Sequence, residues 1–245
     1  MNRSAADLLR AAAGRTVVDE DGNKETITLL PPLTEEELAR LALLLPCPLP
    51  PDARELLTFA RGFEGGTVES MDLGGLMEPI FEEIFPCGLP IAHDGYGNYW
   101  VLDLVSTSTV WGPVFFLCHD APVVVYQCPD VATFIRDLLV MAEPPHSGPI
   151  DEVHEGHMRR IWKENPGALL RDEALASPDD AVRRFAADLT PEHWIVDLRS
   201  ARTGDGFSWG RFGPNTPQAR AGEERIFAYQ SRSRSRRLLG WLTGR

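Results

Sequence analysis

Apolar residues recur at helical spacing in three places in the first half of the chain. Leu38, Leu41 and Leu45 form one stripe after Thr34, and Leu56, Phe59, Ala60 and Phe63 form a second after Asp52. Val131, Phe134, Ile135, Leu138 and Leu139 form a third after Pro129-Asp130. Thr34 is followed three residues later by Glu37, a capping-box arrangement in which each side chain satisfies a free backbone N–H. Pro46 and Pro48 end that helix, and Asp52 is placed to cap the next. Gly62, Gly65 and Gly66 read as a flexible exit from the second helix, and residues 4–13 as a further short amphipathic one.

Between the second and third stripes the helical spacing disappears. Tyr99–Leu104, Val114–Leu117 and Val123–Gln127 are rich in β-branched and aromatic residues and predict strands. Asp94-Gly95 and Gly97-Asn98 supply tight turns before the first of these. Near the start, Thr16–Asp19 and Glu25–Leu30 flank Asp21-Gly22, a hairpin signal. The order is helix, helix, strands, helix, with short links between strands. It predicts an α+β fold: a single antiparallel or mixed sheet packed with helices.

Glu143-Pro144-Pro145-His146-Ser147-Gly148-Pro149 interrupts the pattern, since three prolines and a glycine in seven residues cannot continue a helix. We divide the chain there, into residues 1–145 and residues 150–245. In the second part Glu152–Glu164 predicts a helix, and Ser177-Pro178 starts another with Val182, Phe185, Ala186 and Leu189 inward. Trp194–Leu198, Phe207–Phe212 and Ile226–Tyr229 predict short strands, with Thr203-Gly204-Asp205-Gly206 turning between the first two. The second part thus reads as an α+β extension or a small second domain.

Charge separates the same two parts. Residues 1–150 carry 8 Lys+Arg against 22 Asp+Glu, a net of −14, whereas residues 151–245 carry 16 against 14. The acidic part repels phosphate backbones, which argues against nucleic acid, and would hasten encounter with a basic protein. Acidity also serves plain solubility. No run of about 18 apolar residues is present, so no membrane span is expected. The N-terminal stretch lacks the apolar core of a secretory signal, which points to the cytoplasm. Cys47, Cys87, Cys118 and Cys128 form no C-x-x-C pair and are expected to be buried free thiols.

Candidate chemistry is sparse. His93-Asp94 and His119-Asp120 are adjacent histidine–aspartate pairs, but neighbours on a strand face opposite ways, so turn chemistry is the better reading. His154 and His157 are three apart, where a zinc-protease motif needs four; sharing a metal with Asp151 or Glu152 is the alternative to a solvated helix face. Gly95-Tyr96-Gly97 lacks the third glycine of a dinucleotide fingerprint. Trp100 and Trp111 suit either interface anchors or core, and Trp209 suits packing between the two parts. Ser231 to Arg237 is a basic run, either a solvated tail docking on the acidic half or a phosphate contact.

The order of segments over residues 34–142 resembles the SUKH superfamily, which includes Smi/Knr-type regulators and bacterial immunity proteins. The resemblance is carried by Leu49-Pro50, Gly65-Gly66, Leu89-Pro90, Asp94 to Asn98, Leu102-Asp103, Gly112 to Val114, His119-Asp120 and Phe134 to Leu139. The usual Asn-Gly at the exit of the second helix is replaced by Arg61-Gly62 and Glu64-Gly65. The resemblance implies a non-enzymatic protein-binding domain with no cofactor: an immunity protein that neutralises a toxin, or a regulatory adaptor. No metal is expected either, since no Cys/His set has credible ligand spacing. A hydrolase using His93 or His154 is the remaining alternative. The partner surface expected on this basis is Asp94, Tyr96, Asn98, Trp100 and Asp103, with Trp111, His119 and Asp120.

Overall fold

Thr34 and Glu37 close the capping box that the sequence announces. Glu37 Oε2 accepts from the Thr34 N–H at 2.8 Å, and Thr34 Oγ1 accepts from the Glu37 N–H at 3.3 Å. The helix they start, and the rest of the fold, come from a computed structural model that describes residues 3–19, 21–65, 70–75, 82–118, 120–209 and 216–230.

The helices of the first part are α1 (Ala5–Ala12), α2 (Glu35–Leu44), α3 (Pro51–Phe59) and α4 (Val131–Met141). The strands are β1 (Thr16–Val18), β2 (Lys24–Thr26), β3 (Thr28–Leu30), β4 (Gly62–Glu64), β5 (Ser70–Asp72), β6 (Gly88–His93), β7 (Tyr99–Asp103), β8 (Val114–Cys118) and β9 (Val123–Cys128). In the second part come α5 (Pro149–Asp151), a π-helical turn Glu152–His157, α6 (Met158–Glu164), β10 (Leu169–Leu170), α7 (Arg171–Leu175), α8 (Asp180–Ala187), β11 (His193–Asp197), β12 (Gly206–Ser208), β13 (Gln218–Arg220) and β14 (Ile226–Gln230).

The α+β expectation holds. Strands β12-β9-β8-β7-β6-β5-β4-β3 form one antiparallel sheet, β10-β11-β14-β13 a second, and β1-β2 a separate hairpin. Alternation along the central strands divides the interior in two. Trp100, Leu102, Val114, Phe116, Val123 and Val125 face α1 to α4 and the α5–α6 region. Val101, Phe115, Leu117 and Val124 face the other way, against Val196, Phe227 and Tyr229 of the second sheet. The far side of that sheet, through Ile195, Ile226 and Ala228, is covered by Ala174, Val182 and Ala186 of α7 and α8. The layers therefore run helices, sheet, sheet, helices.

Several local expectations change. Pro50, not Asp52, sits at the N-cap of α3; Pro51 takes the first helical position, where no N–H is needed, and Asp52 accepts from the next N–H at 3.0 Å. Asp179 rather than Ser177-Pro178 caps α8, accepting from the N–H groups of Ala181 and Val182. Glu25–Leu30 is split at buried Ile27, so that β2 pairs with β1 while β3 joins the large sheet. Gly62 is not a loose exit but part of β4, where a Cβ would stand 1.8 Å from the Met71 carbonyl oxygen. Strand β12 leaves its sequence neighbours and pairs Phe207 with Val124. Trp209 is buried in the interior shared by the two parts, as expected. Gly66, the end of the Phe207–Phe212 stretch and the basic run from Ser231 lie outside the described residues.

Three of the four cysteines are buried and all are free; Cys87 is only half-buried. Burial pushes the thiols of Cys47, Cys118 and Cys128 above the ordinary range. Among the described residues, no helix is long and apolar enough to cross a membrane.

Candidate interaction site at the β6–β7 turn

The turn joining β6 to β7 is built on one carboxylate. Asp94 Oδ1 accepts from the N–H of Tyr96 at 2.8 Å and of Asn98 at 3.2 Å. Its Oδ2 accepts from the Asn98 side-chain amide at 2.5 Å. Gly95 and Gly97 take φ of 77° and 91°, a left-handed backbone that glycine adopts without strain. This wiring holds Tyr96 out into solvent at 85% exposure, the large aromatic side chain most exposed among the described residues. A rigid turn that displays an exposed tyrosine loses little conformational entropy on binding.

The turn is braced from outside its own hairpin. His154 Nε2 lies 3.2 Å from Asp94 Oδ2, and its Nδ1 lies 3.4 Å from Glu155 Oε1. The imidazole stacks on Trp100 with centroids 6.4 Å apart and meets Phe116 edge-on at 5.2 Å. His154 sits in the π-helical turn, a rare geometry that re-aims side chains. Trp100 Nε1 donates to Gln127 Oε1 at 3.2 Å, and Gln127 Nε2 donates to the Pro149 carbonyl at 3.1 Å. That relay ties β7, β9 and the start of α5 together. Burial opposes charge on Asp94, yet hydrogen bonds from Asn98, the Tyr96 N–H and His154 outweigh it and hold the carboxyl below its ordinary range.

The surface expected from the sequence is thus only partly assembled. Asp94, Tyr96 and Asn98 come together in one turn. Trp100 and Trp111 lie in the interior at 2% and 3% exposure, so the choice between anchor and core falls to core for both. Asp103 is 1% exposed and held by Arg220 and Arg225, and it presents nothing to a partner. Asp120 is exposed, and His119 lies outside the described residues. His154 enters the site unannounced: weighed as a metal ligand, it instead braces the turn. The only sequence signal for that role was its place on a helix after the Pro-rich break. Among the described residues, no group of three or more His, Cys, Asp and Glu side chains is placed to hold a metal ion.

Residues 32–137 match the SMI1 / KNR4 family (SUKH-1). This segment belongs to the SUKH superfamily. No curated protein matches the chain. The SUKH segment contains the Asp94 turn, Trp100 and Trp111, whereas His154, Arg220 and Arg225 are supplied from beyond it. SUKH domains are generally non-catalytic and typically bind proteins. The second sheet covers one face of the SUKH sheet and the helices cover the other, which leaves its turns and edges at the surface.

Proposed function

We propose that this protein is a non-enzymatic, cytoplasmic binding protein that acts as a bacterial immunity protein, neutralising a basic toxin through the Asp94–Asn98 turn. The observation that carries this reading is a pre-organised turn on a SUKH segment, held from within by Asp94 and displaying Tyr96 at 85% exposure. The net charge of −14 over residues 1–150 suits a basic partner and would speed encounter, while one aromatic anchor would supply much of the affinity. The reading requires no cofactor, metal, nucleic acid or membrane. The two-part division, with residues 1–145 as the binding domain and residues 150–245 as its extension, belongs to it. The extension's part is to brace the turn through His154.

The test pairs the purified protein with the product of the gene next to its own. Immunity requires a direct complex and rescue of cells expressing that product, both lost in Tyr96→Ala. A complex without any toxicity to rescue favours the regulatory adaptor. No complex with either neighbouring product, from a folded protein, sinks the immunity reading.

A further inference from the structure

Tyr96 offers an uncovered ring face in a setting of carboxylates. The turn that carries it is fixed by Asp94 and by two left-handed glycines. Elsewhere the chain covers ring faces with its own cations. The Arg10 guanidinium lies over Phe59 at 4.9 Å, and that of Arg220 over Phe227 at 5.3 Å and Phe85 at 5.9 Å. Among the described residues, no cation lies over Tyr96. The charges nearby are mostly negative. Tyr99 pairs with Leu117 and Cys118 with Val123, so the β6–β7 and β8–β9 turns emerge side by side at one end of the sheet. Asp120 stands exposed in the second of them. Burial raises the Cys118 thiol, and the charges of Asp120 and Asp94 raise it further, which places both carboxylates near the end of β8. Glu155, 48% exposed, reaches the ring of the His154 that braces the Tyr96 turn, and Arg159 is its cationic partner. Three carboxylates thus stand against one guanidinium.

We propose that Tyr96 receives an arginine side chain of a basic protein, with the guanidinium stacked on the exposed ring in the field of Asp94, Asp120 and Glu155. The inference rests on the reading of this turn as the partner site and names what the turn recognises. The negative face of an aromatic ring attracts a cation. A guanidinium is planar and weakly hydrated, so it stacks on the ring at little cost, whereas an ammonium holds its water. The surrounding carboxylates favour a cation and repel an acidic partner. The turn is already fixed in shape, so little ordering is left to oppose the contact.

The probe is N-acetyl-L-arginine amide, and N-acetyl-L-citrulline amide is a control of nearly the same shape without the charge. Each is titrated into the full-length protein, labelled in its tyrosine rings and backbone amides, and followed by NMR. Arginine amide should move the Tyr96 ring and the Gly97 and Asn98 amides more than the rings of Tyr99 and Tyr126. It should bind roughly two- to fivefold more tightly than citrulline amide, as an exposed cation–π contact implies. Tyr96→Phe keeps the ring face and should keep that preference. Tyr96→Leu, read on the two amides, should lose it, while an unchanged spectrum away from the turn shows that the variant is folded. Equal binding of the two amides overturns the proposal, as does a preference that survives in Tyr96→Leu or a Tyr96 ring that arginine amide leaves unmoved. None of these measurements needs the toxin. If the neighbouring gene products do not bind while the arginine preference stands, the immunity reading falls alone. If they bind and the preference is absent, this inference falls alone.

Discussion

Arg220 clasps Asp103 from 117 positions away in the chain, with Nη1 2.6 Å and Nη2 3.0 Å from the two carboxylate oxygens. Both side chains are almost wholly buried, at 3% and 1% exposure. Arg225 Nε adds a third bond to Asp103 at 2.8 Å. The Arg220 guanidinium also donates to the carbonyls of Ile84, Glu223 and Glu224 and lies over the rings of Phe85 and Phe227. A bidentate pair so fully hydrogen-bonded offsets the cost of its own burial, and it pins β13 to the SUKH sheet.

Breaking that clasp from one side leaves an uncompensated buried charge. Asp103→Ala is expected to destabilise the protein by about 3–5 kcal/mol in urea unfolding. Pairing it with Arg220→Met should recover part of the loss. A single variant within about 1 kcal/mol of wild type would show that the two sheets are held by apolar contacts alone.

Tyr96 should behave in the opposite way. Its side chain is exposed, so Tyr96→Ala should keep stability within about 0.5 kcal/mol while costing a cognate complex about 2 kcal/mol or more, mostly as faster dissociation. Raising salt from about 50 to 500 mM shortens the Debye length from roughly 14 to 4 Å and should slow association without much change in dissociation. Stopped-flow or surface-based kinetics separates the two, and an association rate indifferent to salt removes the electrostatic half of the proposal.

Acid should loosen the turn in a defined direction. The folded Asp94 carboxyl lies below its ordinary value of 3.8. The unfolded chain therefore takes up the proton first, and stability rises with pH between the folded and unfolded values. The stabilisation is fully present above about pH 4–5 and is lost as pH falls through the folded value. Asp137, raised by burial, titrates with the opposite sign, so the measurement is a difference between wild type and Asp94→Asn. That difference should shrink on acidification below about pH 4. A gap that stays constant from pH 7 to pH 3 would mean that the charge on Asp94 contributes nothing.

Thiol chemistry should read out burial directly. Cys47, Cys118 and Cys128 are buried, with thiols pushed up, whereas Cys87 is half-exposed. A disulfide reagent added to the native protein should modify Cys87 first and the other three only on unfolding. Four equivalent reaction rates would contradict the packing, and a disulfide in protein from freshly lysed cells would count against the proposed cytoplasmic location.

Much of the SUKH segment was legible because its signals are local. The Thr34–Glu37 box, the stripe from Val131 to Leu139 and the three central strands depend on residues within a few positions of one another. The short strands β4, β5, β10 and β13 were not legible. Three residues, or two, carry no usable period, and Gly62 is a strand residue only because Met71 lies against it. Val114 to Cys118 is apolar without alternation, which is what a strand covered on both faces requires.

The sequence by itself determined the class of fold, the order of its main helices and of the three central strands, and the acidity of the first half, since these follow from periodicity, capping and composition. Only the tertiary structure decided what each conspicuous side chain does. Trp100 and Trp111 became interior because helices close over one face of the sheet, and Asp103 became a clasp because Arg220 reaches it across 117 positions. His154 became a brace because the chain returns to the turn after α5. Burial and pairing of this kind depend on which distant segments meet, and a pattern confined to neighbouring residues does not encode them.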